Sequence, residues 1–165
     1  MPEWFGPSKD VVLLVLAVWG AALSTFNWWS ARSKESRRIK VWLTTKIPTY
    51  TSGEMGHPFV CVEAVNVGHR PVKIDYLAVE LPDGRTLLPM FHNELPGMPN
   101  TKLPVTLGDG ESAILAFPYS EVGHGLRQIG VERTRIRPLA TDTAGNKHRG
   151  KSWKVTASEM IEARK

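Results

Sequence analysis

Between Asp10 and Arg32 run 21 residues without a formal charge. Wound as a helix rising about 1.5 Å per residue, they extend roughly 30 Å, the thickness of a bilayer's hydrocarbon core. The first half, Val11 to Val18, is strongly apolar, and Ser24, Thr25 and Asn27 soften the second. Trp4 and Phe5 lie just before the stretch, and Trp28 and Trp29 close it. Aromatic rings at both ends form the interfacial belt of a spanning helix. Pro7-Ser8-Lys9-Asp10 supplies a helix start, with Ser8 as its cap. The expectation is one transmembrane helix over residues 11–31. A cleaved signal peptide fits less well: Glu3, Lys9 and Asp10 nearly cancel where a basic region is needed, and no small-x-small site follows cleanly.

Orientation follows from the flanking cations. Lys9 precedes the span, whereas Arg32, Lys34, Arg37, Arg38 and Lys40 follow it within ten residues. The positive-inside bias places a short tail, residues 1–10, outside the cell membrane and the C-terminal domain in the cytoplasm, behind a basic juxtamembrane linker over 32–38. The membrane-interface set is thus Trp4, Phe5, Trp28, Trp29 and these five basic residues, with the lipid bilayer as first partner. Ala17, Gly20, Ala21 and Ser24 form small-xxx-small pairs through which a homodimer is possible.

Beyond the span the pattern has a period of two. Ile39, Val41 and Leu43 alternate with Lys40, Trp42 and Thr44. Phe59 to Val65 is apolar on both faces except at Glu63, as in a central strand. Turns fall at 66–71, 82–85, 108–110 and 142–146, with strands between them. The segment 91–104 carries Pro96, Gly97, Pro99 and Pro104 and reads as an irregular loop. Residues 120–128 suggest a short helical crossover that Gly123 and Gly125 weaken. Lys147 to Val155 reads as one returning strand, and residues 158–164 as a short helix capped by Ser158. Hydrophobic residues are 42% and charged ones 22%, enough to build a core. The fold class expected is mainly β: an N-terminal transmembrane helix followed by an antiparallel immunoglobulin-like β-sandwich over 39–156 and a C-terminal short helix or tail over 157–165.

The run Asn66-x-Gly68-x-x-Pro71-Val72, the turn Pro82-Asp83-Gly84 and the later Leu107-x-x-Gly110-Glu111-Ser112 carry a resemblance. They resemble the strand–turn–strand pattern of small single-pass bacterial membrane proteins with an immunoglobulin-like β-sandwich module. The resemblance covers about half the chain and implies a fold, since such sandwiches host many unrelated roles.

No catalytic constellation stands out. Cys61, the single cysteine, sits mid-strand between valines and reads as a buried structural thiol; no intrachain disulfide is available to it. The histidines lack metal-ligand spacing, although loop residues His57, His69 and His92 would meet if they shared one end of the sandwich. No cofactor is expected, no metal ligand is assigned, and the chain reads as a non-enzyme.

The functional hint is charge. Residues 133–154 hold seven basic residues against only Asp142. Arg133, Arg135 and Arg137 fall on one face of a strand, and Lys147, Arg149 and Lys151 alternate in the same way on the next. That face suits an acidic protein partner or anionic lipid. Nucleic acid is unlikely, because no stacking aromatics interleave with the arginines. The first expectation is therefore a membrane-anchored interaction module. The alternatives are an envelope structural protein with the domain outside, or a metal, ligand or enzymatic site built on loop histidines.

Overall fold

The computed structural model describes residues 6–34, 38–53, 55–88 and 100–163. The chain divides into two compact units, Met1–Ser36 and Arg37–Lys165. Trp4, Phe5, Arg37 and His92 lie outside the described residues, as does the stretch 89–99 of the expected proline-rich loop.

The first unit is one helix, α1 (Gly6–Lys34). Its segment Lys9–Ala31 has a mean hydropathy of 1.8 over its most apolar window and no buried residue there, so it is apolar and long enough to be a membrane span or a signal sequence. The helix starts earlier than its charge pattern suggests. Ser8 lies inside the first turn rather than at the cap, and Pro7 takes an early position where its missing N–H costs nothing. The helix also runs on through Arg32 and Lys34, shortening the expected linker. The Thr25 hydroxyl donates to the Ala21 carbonyl oxygen at 2.8 Å, so this polar group is satisfied within the helix.

The second unit is mainly antiparallel β. Strands β1 (Ile39–Lys46), β2 (Phe59–Asn66) and β6 (Ser112–Pro118) form one sheet in the order β1-β2-β6. In the other sheet β3 (Val72–Glu80) and β7 (Arg133–Asp142) are central. The short strands β4 (Thr86–Leu87) and β5 (Val105–Leu107) pair with β3, while β8 (Lys147–Arg149) and β9 (Trp153–Thr156) pair with β7. Val41, Leu43, Val60 and Val62 from the first sheet share one buried cluster with Ile74, Leu77, Val79, Ile136 and Ala140 from the second. Helices α2 (Tyr119–Gln128) and α3 (Ala157–Glu162) add Val122, Leu126 and Met160 to the same cluster.

Two irregularities set which side chains face outward. In β3 the register slips between Ile74 and Tyr76. The extra residue lets Ile74 and Leu77, three apart, both face the core, and it turns Tyr76, Ala78 and Glu80 to the other side. Between β8 and β9 the pairing with β7 slips again: Leu139 pairs with Arg149, but Ile136 pairs with Trp153. The slip sits opposite Pro138, whose carbonyl accepts the Gly150 N–H at 3.1 Å. A proline in a central strand has no ladder donor, and the break in the partner strand falls where that donor would be needed. Gly150 is required there by space, because a Cβ on it would lie 2.0 Å from the Val41 carbonyl oxygen and 2.7 Å from Pro138 Cγ.

Helix α2 forms despite its two glycines. A Cβ on Gly123 would lie 2.8 Å from both the Ala157 carbonyl oxygen and Ile161 Cγ1, so the glycine is what lets α2 and α3 pack. Helix α3 begins at Ala157, and Ser158 is inside its first turn. Its N-terminus is held from across the fold: the Ala157 N–H donates to the Glu132 carbonyl at 2.8 Å, and the Ser158 N–H to the Glu132 carboxylate at 3.0 Å.

Candidate functional site

The outward face of β7 carries Arg133, Arg135 and Arg137, all exposed. Arg137 lies opposite Glu80 on β3. Glu80 is nearly buried, at 8% exposure, yet its partner is not the arginine opposite. Arg149 reaches over from β8 instead. Its Nε donates to Glu80 Oε2 at 2.7 Å and its Nη2 to Oε1 at 2.8 Å, a fork that engages both carboxylate oxygens. The path from β8 to β3 crosses β7 at Leu139, which is fully buried although it shares this face.

Electrostatics follow from that geometry. The hydrogen bonds from Arg149 hold the Glu80 carboxyl below the usual carboxylate range; burial pulls it upward, and the charges of Arg149, Arg137 and Lys147 add to the lowering. Glu80 in turn raises Arg149 further, so the pair stays ionised. Both oxygens of the Glu80 carboxylate are then engaged by Arg149, and Arg135 and Arg137 make no ion pair among the described residues.

These groups enclose a cleft of about 440 Å³. Arg135, Arg137 and Arg149 line one side with Glu80, while Leu81, Pro82 and Gly84 of the β3–β4 turn and Ser152 close it. Three guanidinium groups against one carboxylate leave a net charge of +2 within it. A shallower trough continues past Arg135 to Arg133, Lys154 and Glu159.

The slip at Gly150 redistributes the basic residues expected from alternation. Lys147 and Arg149 are on β8 as expected, but Lys151 falls in the break between β8 and β9, outside any strand. Lys154 takes its place, directly opposite Arg135. Glu80, Ser152 and Lys154 are the site residues that the sequence pattern missed. Lys154 left a trace as the last cation of the basic run 133–154, and Glu80 as a lone carboxylate in the apolar run Leu77 to Leu81.

The other candidates fall elsewhere. His57 precedes β2 and His69 follows it, so this strand of eight residues, roughly 26 Å long, separates them. A shared end for those two is corrected by this topology. His69 Nδ1 instead lies 2.6 Å from Asp109 Oδ2, joining two exposed turns. His148 Nε2 lies 3.2 Å from the buried Asp142, whose carboxylate also accepts the N–H groups of Ala144 and Asn146. Burial raises that carboxyl, and the bonds from Asn146, His148 and Ala144 more than offset it, leaving it below the ordinary value. Cys61 is fully buried, and burial holds its thiol above the ordinary value. On α1, Trp28 and Trp29 are exposed, as are Ala17, Gly20, Ala21 and Ser24. Arg38 and Lys40 are exposed at the start of the second unit.

No family model matches the chain, and no curated protein matches it. An X-ray structure of a Northeast Structural Genomics Consortium target is similar over 72% of this chain and 86% of its own, at 9% identity and a TM-score of 0.30, a likeness too low to carry an argument.

Proposed function

We propose that the chain is a membrane-tethered, non-catalytic interaction module. In this reading α1 is a single-pass anchor with its N-terminus outside. The C-terminal unit is an immunoglobulin-like β-sandwich on the cytoplasmic side, of the kind found in small bacterial membrane proteins. It presents the basic face of β7–β9 to an anionic partner. Support for the sandwich comes from strand order: β1, β2 and β6 stand where A, B and E would, and β3, β7 and β8/β9 where C, F and G would. Support for orientation comes from the cations that follow the span.

The observation that carries the functional reading is the Arg149–Glu80 fork. It uses up the one carboxylate that lines the cleft and leaves Arg135 and Arg137 facing it without an ion pair among the described residues. A photo-crosslinking residue at Ser152, on the rim, tests it in intact membranes. A discrete adduct that disappears in the Arg135→Gln/Arg137→Gln double variant is expected. Adducts that are diffuse, or that persist unchanged in that variant, would show only a solvated basic face beside a short edge strand.

A further inference from the structure

The cleft between the β3–β4 turn and β7 has the chemistry of one ligand class. Arg135 and Arg137 are two residues apart on one strand face, so their stems emerge about 7 Å apart and on the same side. Arg149 is fixed by Glu80, which spends two of its five N–H donors and leaves three. Ser152 adds a hydroxyl at the rim. A carboxylate presents one forked edge, and Glu80 shows that a single arginine satisfies it. A phosphate monoester carries close to two negative charges and three terminal oxygens, enough for forks from two arginines at once. The net charge of +2 in the cleft matches it. The volume of about 440 Å³ is on the scale of small-ligand sites, and Leu81 and Pro82 offer apolar wall to the carbon side of an ester.

We propose that this cleft is a phosphate-monoester site in which Arg135 and Arg137 clamp the phosphoryl oxygens and the Glu80-anchored Arg149 closes the third side. The proposal rests on reading the basic face as an interaction surface and names what that face recognises. The phosphate has two possible sources, the headgroup of an anionic lipid such as phosphatidic acid or a soluble phosphate ester.

The test uses the full chain in phosphatidylcholine nanodiscs. Inorganic phosphate and glycerol 3-phosphate are titrated by calorimetry, with acetate as the carboxylate comparison. In a second arm, phosphatidic acid replaces part of the lipid, and hydrogen exchange is followed across β7 and β8. Saturable binding in the first arm identifies a soluble ester, and protection confined to β7, β8 and the β3–β4 turn in the second identifies a lipid headgroup. Either result upholds the site, provided Arg137→Gln weakens it by about tenfold or more while Lys102→Gln, the same charge change at an exposed position away from the basic face, does so by less than about twofold. Arg137→Lys keeps the charge and loses the fork, and it should fall nearer to Arg137→Gln than to the parent. Absence of phosphate binding in both arms, equal losses in the Arg137 and Lys102 variants, or acetate binding as tightly as phosphate would overturn it. If phosphate fails while the Ser152 adduct remains specific, the interaction reading survives without this ligand.

Discussion

Gly150→Ala is a sharp test of how the site is built. The added methyl would meet the Val41 carbonyl oxygen at 2.0 Å, the Val41 carbonyl carbon at 2.8 Å and Pro138 Cγ at 2.7 Å. Two of these are backbone atoms of β1, so no side-chain rotation relieves the clash. Ordinary contact would require a backbone displacement of roughly 1.5 Å, and forced overpacking of this kind costs about 3 kcal/mol. For a domain of this size, about 4 °C of Tm per kcal/mol gives a fall near 12 °C. Gly145→Ala is the comparison: its φ of 83° strains any L side chain, but nothing lies within 4 Å of its Cβ, so only the conformational cost of about 1 kcal/mol applies. Thermal unfolding of both variants of the full chain, followed by near-UV circular dichroism, should rank Gly150→Ala well below Gly145→Ala. Equal Tm values, or a Gly150→Ala loss under 3 °C, would refute the close approach of β8 to β1. Because Gly150 also marks the register slip, its variant should weaken the Ser152 crosslink.

Three further outcomes follow from the same geometry. The Glu80 carboxyl is held below its ordinary value of about 4.3, so its stabilisation is fully present above that pH and is lost as pH falls through the lower folded-state value; the gap in denaturation midpoint between parent and Glu80→Gln should therefore be widest near neutrality and close in acid. Asn66 is fully buried, with Nδ2 donating to the Arg70 and Leu107 carbonyls and Oδ1 accepting from the Gly68 N–H. Asn66→Ala strands these groups and should cost about 3 kcal/mol in urea denaturation, whereas a change under about 1 kcal/mol would mean the turn is held by other bonds. Asp142→Asn removes charge from an acceptor of several N–H groups and should raise hydrogen exchange in the 142–146 turn without altering crosslinking at Ser152.

Much of the architecture is legible because it rests on local patterns. The run from Val11 to Ala31 gives an apolar helix from charge alone, and the alternation from Ile39 to Thr44 gives a strand with its core face. What stays hidden is whatever depends on register. Alternation extended from Lys147 points to Lys151, and only the slip opposite Pro138 hands that role to Lys154. Glu80 and Arg149 are 69 residues apart and bridge a strand that lies between them, so neither residue's neighbours reveal the pairing. Gly123 reads as a helix breaker until α3 is seen packed against it. Asn66 reads as a turn residue tolerant of positive φ, yet no residue other than glycine adopts positive φ among the described residues, and its role is to bond three backbone groups with one side chain.

The proposed placement of the basic face at the inner surface of a membrane is tested most directly by topology. Cys61 is the single cysteine and is fully buried, so a cysteine placed at the exposed Lys151 would be the one accessible thiol. A membrane-impermeant maleimide applied to intact cells, and again after permeabilisation, reads which side it occupies. The account predicts labelling of Lys151→Cys only after permeabilisation, with the protein retained in the membrane fraction. Labelling from outside intact cells, or release of a shortened soluble chain, would contradict it.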